Sequence, residues 1–102
     1  MKLPSSVKIG VYTYEVKEVD GPILVNGRTC TGSIAYEDLV IEILKEMPYQ
    51  RKMQTLFHEI QHGLYDSVSI SYEKSSEEEI TDCLATGWLM LMMDNPDLLT
   101  TT

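Results

Sequence analysis

The chain has 102 residues, 43% hydrophobic and 24% charged, with sixteen acidic residues against eight basic ones and a formal charge of −8. That length fits one compact domain, residues 1–102, and the composition is that of an ordinary soluble globular protein. The acidic balance and the scattered Lys and Arg argue against nucleic acid or an anionic membrane as the main partner, since both are held by basic clusters.

Met1 to Gly10 lacks the apolar run of a signal peptide. From Val7 to Val19 apolar residues alternate as in a strand, with a change of phase near Gly10 to Tyr12 that predicts a bulge or a turn between two short strands. Asp20-Gly21-Pro22 breaks the pattern, and Asn26 to Ser33 reads as a loop. Ser33 to Tyr36 and Leu39 to Leu44 read as two strands with a tight Glu37-Asp38 connection. From Pro48 to about Asp66, Met53, Leu56, Phe57, Ile60 and Leu64 recur at helical spacing and form one apolar stripe. Ser67 to Ser75 is a polar connection. A second helix follows from about Ser76 to Asp94, stopped by Asn95-Pro96. Its last three turns are apolar almost all round, which predicts deep burial or half of an interface. Met90, Met92 and Met93 read as core filler and Trp88 as core. Strands followed by helices make an α+β chain.

The longest apolar run, Leu84 to Met93, falls well short of the ~20 residues that span a bilayer. Cys30 and Cys83 form no C-x-x-C pair and read as reduced thiols. The expected location is cytoplasmic, with no membrane and no nucleic acid.

Chemistry is concentrated in His58-Glu59-Ile60-Gln61-His62. Side chains four apart on a helix share a face, so the two imidazoles can reach one metal ion. Zinc (Zn2+) accepts neutral imidazole and, in catalytic sites, keeps a position for water. Glu59 stands beside that position as the catalytic general base and acid, without having to ligate the metal. The chain has two histidines, and a random pair would fall four apart only about 2% of the time, before the Glu is counted. The purely structural reading is two partly exposed histidines on an amphipathic helix.

A third ligand has several candidates. Tyr65 and Val68 stand where the extended motif H-E-x-x-H-x-x-G-x-x-H needs Gly and His, so that version is excluded. Asp66 shares the face of His62, but a straight helix carries it away from the metal, and it reads as a supporting or helix-end residue. Glu77, Glu78 and Glu79 open the second helix. Ser75-x-x-Glu78 and Ser76-x-x-Glu79 both spell capping boxes, and only one can form. If Ser76 caps, Glu79 is consumed and Glu78 is free to bind metal. Glu78 is therefore the first candidate and Glu79 the second. Tyr65 and Tyr72 are minor candidates for assisting an oxyanion. Thr55, one turn before Glu59, reads as an ordinary helix residue near the site.

Thr55 to His62, the acidic cluster and Leu84-Ala85 together resemble the ImmA/IrrE family of zinc-binding peptidases, especially short members of phage and prophage origin. The resemblance covers roughly Gly32 to Met93. It implies a zincin-like α+β fold, with a small N-terminal antiparallel or mixed sheet, an active-site helix and a following helix that supplies a Glu, best matched by Glu78. It also implies a protein or peptide substrate. Thr81 departs from the small residue usual there, and no helix-turn-helix segment is present. The expected function is peptide-bond hydrolysis by a metal-activated water. The alternative is a metal-stabilised, inactive binding module, and a third reading is an accessory phage protein without metal. The apolar second helix is a candidate contact for a homo-oligomer.

Overall fold

A computed structural model of the chain describes residues 2–68 and 73–99. The alternating first stretch is a hairpin of β1 (Ser6–Ile9) and β2 (Tyr12–Val19), turned at Gly10, whose φ of +62° suits a residue without a Cβ. The change of phase in the sequence is this turn. Val7 and Ile9 point into the core, Val11 on the turn is exposed, and Tyr14 points inward again.

The segment expected to be a loop, Asn26 to Ser33, is mostly strand. Ile23–Val25 (β3) and Arg28–Cys30 (β4) pair antiparallel around Asn26-Gly27, which adopt φ values of 52° and 77°. Two successive left-handed residues match the right-handed twist of flanking strands, and Asn-Gly is the pair best suited to that turn. The polar composition masked this signal. Next come β5 (Gly32–Ala35) and β6 (Val40–Leu44), antiparallel as expected but joined through four residues, Tyr36 to Leu39. β6 then lies parallel to β2, giving a mixed four-stranded sheet of order β1-β2-β6-β5 with the β3–β4 hairpin apart from it.

Two helices follow, α1 (Tyr49–Val68) and α2 (Glu77–Asp94), so the α+β arrangement holds. Pro48 sits just ahead of α1, where it needs no N–H, and its carbonyl accepts from Lys52 at 3.1 Å. Met53, Leu56, Ile60 and Leu64 are buried against Val7, Ile9, Tyr14, Ile41 and Ile43 of the sheet. Gly63 makes this contact close: a Cβ there would lie 2.7 Å from Ile9 Cδ1 and 3.3 Å from Ile34 Cδ1. Phe57, the flank of the stripe, turns to α2 and meets Trp88 edge-on at 5.9 Å. Trp88 Nε1 donates to Gln61 Oε1 at 2.7 Å. α1 runs through Ser67 and Val68, beyond its expected end. Residues 69–72, Tyr72 included, lie outside the described residues.

The deep burial expected as one option for α2 is not what forms. Among its residues only Gly87 and Leu91 are buried. Trp88 is half-buried, while Met90 and Met93 are 54% and 72% exposed. The reading of the methionines as core filler fails, because α2 packs along one edge on α1 and β1 and turns its other side outward. No helix among the described residues is long and apolar enough to cross a membrane.

Asn95 ends α2 and closes one edge of the sheet. Its Oδ1 accepts from the Lys8 N–H and its Nδ2 donates to the Lys8 and Leu91 carbonyls, each at 2.8 Å. The side-chain amide thus pairs with β1 as a neighbouring strand would, on an edge that otherwise stays unpaired. Asn95→Ala should lower stability by about 1–3 kcal/mol in urea denaturation and speed hydrogen exchange at the Lys8 amide, because its partners lose their bonds.

Candidate functional site

The apolar stripe of α1 fixes which residues look elsewhere. With Leu56, Ile60 and Leu64 held on the sheet, positions 58 and 62 fall on the outer side, and His58 and His62 are both exposed. Their ring centroids are 4.9 Å apart, one helical turn along the same face. Glu59 is rotated toward β5 and is only 6% exposed, the one buried charged residue among the described residues. All three line a cleft of about 630 Å³ between α1, β5 and the β3–β4 hairpin, whose other walls include Val25, Cys30, Thr31, Ile34, Tyr36 and Thr55.

Burial raises the Glu59 carboxyl above its ordinary range, and the neighbouring imidazoles, when charged, draw it back down. A carboxyl pushed upward is suited to hold a proton transiently near neutral pH. The Tyr36 phenol is likewise raised, by burial first and then by the carboxylates of Asp66 and Glu59. It therefore stays protonated and presents an O–H donor in the cleft.

β5 contributes its main chain. The Thr31 carbonyl accepts from the Leu44 N–H at 2.8 Å, and antiparallel pairing then alternates along the strand. Ser33 and Ala35 direct their N–H and C=O groups to β6, whereas Gly32 and Ile34 direct theirs away from it. β5 is an edge of the sheet with no described strand beyond it, and the cleft runs alongside. Gly32 is needed there for space. A Cβ would come 2.5 Å from Thr55 Cγ2, 3.1 Å from the Glu42 carbonyl and 3.3 Å from Glu59 Oε2.

The structure thus gathers His58, Glu59 and His62. At the start of α2, Ser76 caps the helix: its Oγ accepts from the Glu79 N–H and Glu79 Oε1 accepts from the Ser76 N–H, each at 3.1 Å. These bonds hold the Glu79 carboxyl below its usual range. Glu79 is consumed, and Glu78 is exposed beside it. Glu78 is ten residues, or about 15 Å of helix, from Trp88, where α2 meets Phe57 and Gln61 of α1. Among the described residues no three His, Cys, Asp or Glu side chains are gathered for one metal ion.

Asp66 is exposed, and its carboxylate bears on Tyr36 and Tyr14. Tyr36 and Gly32 were missed by the sequence reading. Tyr36 is a strand-end residue with no motif around it, and the need for Gly32 appears only when β5 is laid against α1. Thr55, read first as an ordinary helix residue, lines the cleft as well, with its Oγ1 3.4 Å from Thr31 Oγ1. Cys30 and Cys83 are free thiols. Compared with protein-family models, curated proteins and solved structures, the chain gives no match.

Two outcomes follow from the packing. Gly32→Ala should cost about 1–3 kcal/mol by overpacking, and Thr55→Ser, which deletes Cγ2, should return part of that loss in a double-mutant cycle. In metal-free protein, a carboxyl raised by folding favours the native state at low pH, and this favour is lost as pH rises through the folded value. Glu59→Gln should therefore be more stable than wild type at pH 7 in chelator, with the difference closing toward pH 4.

Proposed function

We propose that this chain is a zinc-dependent metallopeptidase of zincin-like fold, acting on a protein or peptide segment. The observation that carries the reading is the pair of exposed imidazoles, 4.9 Å apart on one face of α1, with the buried Glu59 carboxyl in the same cleft beside an open strand edge. The resemblance of Thr55 to His62 to the ImmA/IrrE peptidases supports the same reading. Both rings are free of described hydrogen bonds or ion pairs, a donor set that fits zinc.

In this reading His58 and His62 hold the metal through ring nitrogen. Glu78 would be the third ligand, one of the two first-turn glutamates, with Glu77, left free once Ser76 has taken Glu79. When bound, zinc supplies Lewis acidity and lowers the pKa of its water to about 7. The chain's own residues do the rest. An extended substrate adds to β5 through the outward N–H and C=O groups of Gly32 and Ile34. Glu59 takes the proton of the attacking water and returns it to the leaving amine. The Tyr36 O–H donates to the carbonyl oxygen as its charge develops. Tyr36 joins Tyr65 and Tyr72 as a candidate for this role, and Tyr72 lies outside the described residues.

A second reading, a metal-stabilised binding module without activity, draws support from the exposed apolar side of α2. One substitution separates the two. Glu59→Gln should keep the metal-to-protein ratio and abolish cleavage of a peptide library read by mass spectrometry, a loss of at least about a hundredfold. Cleavage that survives this change would exclude the mechanism. Metal quantification places the ligands: His58→Ala, His62→Ala and Glu78→Ala should each lower zinc content or affinity by at least about tenfold. Glu79→Ala should leave zinc content unchanged while lowering the melting temperature through loss of the capping box.

A further inference from the structure

We propose that the outward side of α2 is a docking surface for a basic, amphipathic helical segment of another protein. Asp82, Leu89 and Met93, spaced seven and four apart, share the face opposite Leu84, Trp88 and Leu91, and Met90 flanks them. Leu89 and Met93 are 62% and 72% exposed, and Met90 and Met92 extend the patch. Four large apolar side chains expose on the order of a few hundred Å², enough for one helix and small for a globular partner. Methionine side chains adapt to varied apolar partners, which suits a surface that receives a helix.

Charge selects the occupant. α2 carries Glu77, Glu78, Glu79, Asp82 and Asp94 and no Lys or Arg. Asp94 is offset by Lys8 at 4.0 Å and Glu79 is tied into the cap, so Glu77, Glu78 and Asp82 remain as exposed negative charge, with Asp82 on the same face as the patch. Against a second copy, a parallel pairing of α2 with α2 sets acid against acid, and neither helix offers a cation to the other. A helix with Leu-like residues along one stripe and Lys or Arg beside it satisfies both halves of the surface.

The test uses the whole chain and a fluorescent amphipathic peptide of Leu and Lys, with a Leu and Glu peptide of equal length as control. The Leu/Lys peptide should bind and shift the methyl resonances of Met90 and Met93, and the Leu/Glu peptide should not. The double variant Leu89→Ser/Met93→Ser, which keeps the net charge, should weaken binding at least about tenfold. Asp82→Lys should weaken it at least about fivefold, whereas Asp20→Lys, an equal charge change on an exposed turn, should alter it less than about twofold. Equal binding of both peptides, equal effects of the two Lys substitutions, or unchanged binding by the double variant would each overturn the proposal. So would a dimer in sedimentation that Leu89→Ser dissolves, since a second copy would then cover the face.

Discussion

The close seating of α1 on the sheet is the constraint on which the other features hang. Gly63 admits the methyl ends of Ile9 and Ile34, and Gly32 lets β5 come up against Thr55 and Glu59. With the helix held there, its rotation is fixed by the burial of Leu56, Ile60 and Leu64. A helix turned by one residue, about 100°, would carry His58 and His62 off the cleft and aim Glu59 at solvent. The packing energy of the core and the geometry of the candidate site are therefore set by the same contact.

The sheet has two edges, and the chain treats them differently. At β1, the Asn95 amide supplies the hydrogen bonds of a missing strand to Lys8. At β5, the outward groups of Gly32 and Ile34 face a cleft instead. An exposed edge is a hazard for self-association, and closing one while leaving the other open beside a buried carboxyl is in keeping with the proposed use of β5 as a template for an extended chain. The proposed peptidase function needs that template, because a cleft this shallow has little other means to fix the register of a substrate.

Legibility in the sequence followed the range of the interactions. The helices were readable, because capping and apolar spacing are local; Ser76 with Glu79 formed as one of the two boxes written there. His58, Glu59 and His62 fell together for the same reason, one helical turn being a fixed distance. The β3–β4 hairpin was misread although Asn26-Gly27 announced it, since its strands are three residues each and carry little alternation. The parallel pairing of β2 with β6 has no local signature at all. Tyr36 reaches the cleft only because β5 is an edge strand, and the outward turn of Met90 and Met93 depends on α2 packing by one side. Apolar residues in a helix say that burial would be favourable, not that this chain alone provides it.

Glu59 carries a further argument. Every other buried position of α1 is apolar or glycine, and a carboxylate there raises the free energy of the metal-free fold at neutral pH. A helix selected only to pack would hold an apolar or amide side chain at that position. The departure stands in the cleft where two imidazoles, a protonated phenol and a free strand edge converge. Local departures of this kind, with no compensating gain in packing, are where a chain gives up stability for chemistry. An acid that is unwelcome to the fold and well placed for proton transfer supports the proposed general-base role, which draws on the same burial that makes it unwelcome.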